Sequence, residues 1–299
     1  MAIQTSHVGS LPRSQKVVDY IFSREKGEDY NKIEFDKVMT EAVNDTVRKQ
    51  KKAGITIVSD GETSKISYAT YVKDRYHGFA GDSPRNAPAD LKKFPNYLQK
   101  LANDGGTPKY ARPMCVSKLE PKKNDDLIKD IDNLKKALKG NDIKKGFMNA
   151  ASPGVISLFL QNDYYPSRED YLEALSNLMQ SEYEMIVKSG LDLQIDCPDL
   201  ALSRHMLFND MTDDEFVKVA SINIESLNNA LRNIPKDKIR IHICWGNYEG
   251  PHVCDISISK MFETLMNVKT GHILFEAANP RHAHEWEVFE EKKNLIPDD

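Results

Sequence analysis

Apolar residues along the chain alternate between long segments with helical spacing and short, nearly continuous runs. In residues 31–53 apolar side chains recur every three or four positions, and this segment ends at Gly54. That spacing predicts an amphipathic helix. The apolar run at residues 55–58 follows at once and has the length expected of a buried strand. A helix, a tight turn and a strand in this order form the repeating unit of a parallel sheet.

The same unit recurs later in the chain. Ser167 with Asp170, and Thr212 with Glu215, have the spacing of capping boxes and predict helices at residues 167–190 and 212–233. A lysine-rich segment at 117–146 also has helical spacing, which is typical of a solvated helix, and 81–96 is expected to be a long loop. The short apolar runs predict six strands, at residues 3–8, 55–58, 146–150, 191–195, 239–243 and 272–276.

This repeat predicts an α/β fold, specifically a (β/α)8 TIM-type barrel. Such barrels carry their active site at the carboxyl ends of the strands. Because six strands are evident, we expect residues 1–299 to form a single catalytic barrel domain that lacks its last two βα units. The polar residues near the ends of the predicted strands are Ser10, Glu62, Asn149, Asp196, His242, Cys244 and Glu276.

Three of these residues suggest a metal site. His242 and Cys244 are two apart on a predicted strand, so their side chains point to the same side. Glu276 ends the next predicted strand, where a buried carboxylate would need a partner. A nitrogen, sulfur and oxygen donor set suits zinc with one position left open for a substrate. These residues indicate an enzyme that activates a small molecule on a metal.

Two alternatives remain for these residues. His-x-Cys pairs on strands often belong simply to the core. His242 and Cys244 could also join His252 and Cys254 in a closed structural zinc site. We favour the open set because the closed one leaves Glu276 unexplained.

Composition restricts the function further. The chain has 299 residues, 40% of them apolar, and a formal net charge of −4. This balance argues against nucleic-acid binding and against an anionic membrane surface. We expect a cytoplasmic protein, without a secretory signal or a membrane span, whose four cysteines are reduced thiols.

Several motifs together resemble a known family. The segment His7-Val-Gly-Ser-Leu-Pro-Arg13 is similar to the opening of the catalytic barrel of cobalamin-independent methionine synthases. Asp60-Gly-Glu62, Ile195-Asp-Cys-Pro198, His242-Ile-Cys244 and the strand ending at Glu276 follow in that family's order and spacing. The resemblance extends through essentially the whole chain and is greatest to the short, single-barrel members.

The resemblance implies a zinc ion that binds homocysteine as a thiolate, which then attacks a methyl group. Its implied ligands are His242, Cys244 and Glu276. The family's fourth ligand, a cysteine in an Asp-Cys-Gly segment of the last strand, has no counterpart in this chain. This absence agrees with the missing last strands.

The resemblance also implies roles at the substrate site. Glu62 and Asp196 would bind the amino group of homocysteine, and the backbone of Val8, Gly9 and Ser10 would meet its carboxylate. From the residues alone, Glu62 and Asp196 could equally cap the helices that follow them.

A methyl donor is implied as well, either 5-methyltetrahydrofolate or a methylcorrinoid. Phe159 falls where the family places an aromatic residue that stacks on the folate pterin, although a core role is the alternative. Two other functions stay open: alkylation of another thiol, such as coenzyme M, by an epoxide, and a non-catalytic barrel that binds zinc and an amino acid. His282 and His284 follow Pro280 and are expected on the surface.

Overall fold

Parallel strands joined by helices form the centre of the protein. The computed structural model describes residues 3–83, 87–103, 110–123, 125–247 and 250–297. The strands are β1 (Tyr76–Ala80), β2 (Met114–Pro121), β3 (Phe147–Ala151), β4 (Asp192–Asp196), β5 (Ile239–Ile243) and β6 (His272–Phe275). The helices are α1 (Gln15–Glu25), α2 (Lys32–Lys52), α3 (Val72–Arg75), α4 (Ala89–Lys92), α5 (Pro95–Asn103), α6 (Asp125–Gly140), α7 (Pro153–Phe159), α8 (Arg168–Lys188), α9 (Ser203–Met206), α10 (Asp213–Ala230), α11 (Ile258–Leu265) and α12 (Trp286–Glu291).

Strands β3 to β6 form one parallel sheet in the order β3-β4-β5-β6. Each strand pairs with the next one in sequence, and the register places Asp196 opposite His242. Helices α8, α10 and α11 lie in the three connections. The prediction of an α/β fold with a parallel sheet is confirmed. In the part of the chain that the structure describes, the ladder does not close, so the eight-stranded barrel stays a prediction.

The first two predicted strands are only partly formed. The backbone amides of Thr56 and Ile57 both donate to the Thr5 carbonyl, and Val58 forms a single parallel bridge with Gly146. Residues 55–58 therefore lie between residues 3–8 and β3. Both segments make too few backbone hydrogen bonds to form strands. The prediction of two full strands there was wrong.

A two-stranded antiparallel sheet, β1 with β2, was not anticipated. Its second strand overlaps the segment expected to be helical from residue 117, whereas the helix α6 begins at Asp125. The short helices α4 and α5 also begin within residues 81–96, which were expected to form a long loop, and residues 84–86 lie outside the described residues.

The longest helices begin at the expected polar residues. The side chain of Asn31 accepts from backbone amides at the start of α2, Ser167 does the same for α8, and Thr212 with Glu215 forms a full capping box on α10. A large apolar core lies between the sheet and these helices, and a smaller cluster joins α1 to α2. No described helix is both long and apolar enough to cross a membrane.

A buried ion network joins α8 to the segment that leads into β1. The Arg75 guanidinium lies 2.6 Å from Glu182 Oε1 and 2.7 Å from Asp130 Oδ2. The hydroxyl of Tyr71 also donates to Glu182, at 2.7 Å. These contacts fix the antiparallel pair against the helical layer.

Candidate functional site

The amino-terminal segment of residues 8–10 contacts several of the predicted site residues. Ser10 Oγ donates to Glu62 Oε2 at 2.6 Å. A Cβ added at Gly9 would lie 2.8 Å from Glu62 Oε1, so the Glu62 carboxylate leaves no room there for a larger residue. Val8 presents its carbonyl oxygen to the side-chain amides of Asn149 and Gln194, at 3.0 and 2.6 Å. The predicted substrate segment thus contacts both Glu62 and the sheet.

Asp196, at the end of β4, is the centre of a second set of contacts. Its carboxylate accepts from Asn149 Nδ2 and Gln194 Nε2, each at 3.0 Å. It also lies 3.1 Å from His242 Nδ1. Asp196 is buried, and its carboxylate can accept a hydrogen bond from each of these three side chains. The same two amides therefore hold both Asp196 and the Val8 carbonyl.

Glu62 is buried and held in an unfavourable backbone conformation. It is 2% exposed and has a φ of +55°, in the left-handed region that non-glycine residues rarely adopt. Burial raises the pKa of Glu62 to about 7, and the nearby charge of Asp196 adds to the shift. Neither Glu62 nor Asp196 caps a helix, so the structure does not support the alternative in which these acids are helix caps. Strain and a perturbed carboxyl are both common at binding sites.

His242 and Cys244 meet in space, as their spacing predicted. Burial by itself would lower the pKa of His242, but hydrogen bonds with Asp196 and Cys244 outweigh it and raise the pKa to about 10. Cys244 is half-buried and lines a cavity of about 370 Å³. These contacts connect the Asp196 group to a thiol at the cavity wall.

Glu276 lines the same cavity, but it is not buried as expected. It lies just beyond β6, the last strand of the described ladder, so no further strand covers it. Its Oε1 accepts from the backbone amide of Ala278 at 3.3 Å. The carboxylate is therefore accessible from the cavity rather than enclosed with the other two residues.

No metal-binding group of three or more His, Cys, Asp or Glu side chains is assembled in the described ranges. His242, Cys244 and Glu276 share one region without converging on a point. The closed alternative is not assembled either, because His252 Nδ1 faces Asp255 at 3.0 Å and not Cys254. The donor types still suit zinc, and His242 keeps its second ring nitrogen, Nε2, away from the Asp196 contact.

Phe159 belongs to an aromatic wall near the same site. Its ring contacts Tyr68 edge-on, with centroids 5.9 Å apart, and the Arg112 guanidinium lies 4.9 Å above it. The pKa of Tyr68 is raised well above its ordinary value by burial, and the acidic groups of Cys244 and Asp196 add to the shift. Tyr68 thus lies between Phe159 and the neighbourhood of Asp196 and Cys244.

Sequence reasoning missed several of these residues. Gln194 alternates with Asp196 on β4, so strand periodicity alone would have placed the two side chains on one face. Tyr68 and Arg112 lie in segments without a regular pattern and gave no comparable signal. His282 was expected on the surface, but it is buried and stacked on Trp245.

The chain is similar in sequence to proteins named methionine synthase. No protein-family model matches the chain. It is 23% identical over 262 residues to the methionine synthase of Saccharolobus solfataricus, covering 87% of this chain and 68% of that protein. It is 26% identical over 279 residues to the methionine synthase of Thermococcus kodakarensis, covering 93% and 69%.

Solved structures give the same result for the fold. A B12-independent methionine synthase from Shewanella sp. W3-18-1, in complex with selenomethionine, matches with a TM-score of 0.64 at 19% identity, over 90% of this chain and 72% of that one. A Listeria monocytogenes protein assigned to the same group matches with a TM-score of 0.60 at 16% identity, over 99% and 89%. The chain is a distant homologue of proteins named methionine synthase, and it shares the fold of the B12-independent methionine synthases.

Proposed function

We propose that this protein transfers a methyl group to the thiol of homocysteine and so forms methionine, with zinc as its cofactor. The observation that carries this proposal is the continuous contact from Asp196 through His242 to Cys244. It joins a site suited to an ammonium group to one suited to a thiol. The names of the relatives support the same reaction.

The buried acids favour a substrate with an amino group. Glu62 and Asp196 repel each other when both are ionised, which is one reason for the raised pKa of Glu62. A bound ammonium would relieve that repulsion and donate charge-assisted hydrogen bonds to both carboxylates. The Val8 carbonyl is an acceptor and is already engaged by two side-chain amides, so the backbone N–H groups of Val8, Gly9 and Ser10 would be the donors that meet the substrate carboxylate.

The same acids argue against coenzyme M as the acceptor. Coenzyme M carries a sulfonate and no ammonium, so two buried carboxylates would repel it. Alkylation of that thiol by an epoxide is therefore the less favoured function.

His242, Cys244 and Glu276 would hold the zinc. Zinc, when bound, keeps a coordinated thiol deprotonated and nucleophilic at neutral pH. Asp196 would accept a hydrogen bond from His242 Nδ1–H and thereby orient the ring so that Nε2 faces the metal, an arrangement common at zinc sites. Asp196 would thus serve both the amino group and the metal ligand.

The aromatic wall would bind the methyl donor. Phe159 and Tyr68 offer flat surfaces, and Arg112 adds a positive charge above the ring of Phe159. A planar donor with an anionic tail, such as 5-methyltetrahydrofolate, matches these flat rings and this positive charge better than a bulky corrinoid does.

The amino-group assignment can be tested with Asp196→Asn. Losing one charged partner of a buried ammonium should weaken homocysteine binding by about 2–5 kcal/mol. The deamino analogue 4-mercaptobutanoate should lose much less affinity, as measured by calorimetry. Asp192→Asn, at the other end of β4, is the matched control and should change neither. Equal losses for both thiols would remove Asp196 from ammonium binding.

The reaction itself is tested by product analysis. The zinc-loaded protein should form methionine from homocysteine with 5-methyltetrahydrofolate or methylcobalamin, detected by mass spectrometry. Tight homocysteine binding without methionine from either donor would instead favour a non-catalytic binding protein.

A further inference from the structure

A buried histidine next to the cavity has no part in the proposed reaction. His282 is 5% exposed. Its Nδ1 lies 2.8 Å from Glu285 Oε2, and its Nε2 lies 2.9 Å from Asp255 Oδ2. Carboxylates only accept, and a neutral imidazole donates from a single nitrogen, so this geometry calls for a doubly protonated ring. Burial would lower the pKa of His282, but the two carboxylates outweigh it and raise the pKa to about 9.

This charged ring is stacked on an aromatic one. The His282 and Trp245 ring centroids are 3.8 Å apart and their planes are inclined by 15°. A cation on the face of an indole is attracted by the ring's quadrupole, most strongly where water is excluded. Trp245 is itself fixed, because its Nε1 donates to the Ile256 carbonyl at 2.6 Å.

The stacked pair joins the two segments that carry the proposed zinc ligands. Trp245 directly follows Cys244, and His282 lies in the turn that follows Glu276. Asn279 Oδ1 shapes this turn by accepting from the backbone amides of Arg281 and His282.

Arg281 makes a second connection between the same segments. Its guanidinium donates to the carbonyl oxygens of Gly250 and Pro251, at 2.7 and 3.0 Å. Two independent contacts thus set how far the loop after β5 lies from the loop after β6.

We propose that His282 and Trp245 are positioning residues that fix the segments carrying Cys244 and Glu276 relative to each other, so that both side chains face one cavity. This inference rests on the proposed function, since it concerns the same zinc ligands. The other groups around His282 complete the arrangement: Asp255 also faces His252 Nδ1 at 3.0 Å and His205 Nδ1 at 3.7 Å, and Glu285 accepts from the Ile258 amide.

The contact is tested first without metal. The chain has two tryptophans, and Trp286 is exposed, so Trp286→Phe leaves Trp245 as the sole tryptophan, which can be excited selectively over the tyrosines. A stacked imidazolium quenches indole fluorescence. Adding His282→Asn should therefore brighten Trp245, whereas adding His284→Asn should not, because His284 is exposed and two positions away. Identical spectra for the two variants would overturn the contact itself.

Positioning is tested next by zinc affinity, measured against a chromophoric chelator. Loss of a residue that orients metal ligands should weaken zinc binding by about 10–100-fold in His282→Asn relative to His284→Asn. Trp245→Phe keeps a flat ring and should retain most of the affinity, whereas Trp245→Leu should lose it. Equal zinc affinity in the His282 and His284 variants would refute the positioning role.

A metal-free measurement separates this inference from the proposed function. The alkylation rate of Cys244 by iodoacetamide, relative to Cys254 in the same sample, should change in His282→Asn and stay constant in His284→Asn. If the parent protein binds no zinc, the proposed cofactor is wrong, while the alkylation contrast still decides whether His282 positions Cys244. Circular dichroism of each variant confirms that it is folded.

Discussion

Single residues at the site combine features that oppose stability. Glu62 adopts a left-handed backbone conformation, is buried, and faces the charge of Asp196. Each of these costs free energy, and none is needed to build the surrounding helices. Such a residue is best explained by a ligand that compensates for the buried charge.

This conflict predicts opposite effects of Glu62→Gln on stability and binding. The ordinary pKa of Glu62 is 4.5 and the folded value is about 7, so stability is lost as the pH rises from 4.5 through 7. The variant removes that loss, so its stability relative to wild type should rise by about 3 kcal/mol between pH 4 and pH 8, as measured by urea unfolding.

Homocysteine binding should weaken in the same Glu62→Gln protein. In wild type the affinity should rise with pH through about 7, as Glu62 ionises, and this rise should be absent in the variant. Glu41→Gln, an exposed substitution on α2, is the control. Retention of the pH-dependent rise in Glu62→Gln would show that another group controls binding.

At the scale of elements, the buried charge of α8 fixes the antiparallel pair to the helical layer. Glu182→Gln removes the main partner of the buried Arg75 guanidinium and should destabilise the protein by about 3–5 kcal/mol. Glu173→Gln, an exposed position on the same helix, should change stability by less than about 0.5 kcal/mol. Thermal unfolding of both variants measures the difference, and similar values would mean that Asp130 alone satisfies Arg75.

Elements with strong local signals were predictable. Asn31, Ser167 and Thr212 each begin a helix where a polar cap precedes an apolar period, and β5 has the predicted bounds, residues 239–243. The β1–β2 pair was missed because most of β2 falls in the lysine-rich segment expected to be helical, and because its partner β1 is distant in sequence. Cys115 of β2 also forms backbone hydrogen bonds with residues 161 and 163, which local sequence patterns do not reveal.

The site was predictable where strand spacing determined it. His242 lies on β5 and Cys244 directly follows the end of that strand, and the two meet as the alternation of strand residues predicts. Asp196 joins them because β4 pairs with β5. Glu276 was expected to be buried, but burial depends on what covers β6. His282 was misassigned because its partners, Asp255 and Trp245, lie in another loop.

For the whole molecule, His282 predicts a decline of stability at alkaline pH. Its ordinary pKa is 6.5 and its folded value is about 9, so its contribution is fully present below pH 6.5 and is lost as the pH rises through 9. Wild type should lose stability over this range relative to His282→Asn, as followed by chemical unfolding at several pH values. Parallel curves for the two proteins would show that the ring is not charged.

The contact of Val8 with Gln194 has a consequence for the order of folding. Strands β3 to β6 each pair with the next in sequence, so the sheet can grow by closing modest loops. The bond from Gln194 to the Val8 carbonyl spans 186 residues, and closing so long a loop is entropically slow. The thiol end of the site belongs to the early sheet, while the amino-acid end waits for the amino-terminal segment to dock. A newly made chain would therefore complete its sheet before it could recognise a substrate.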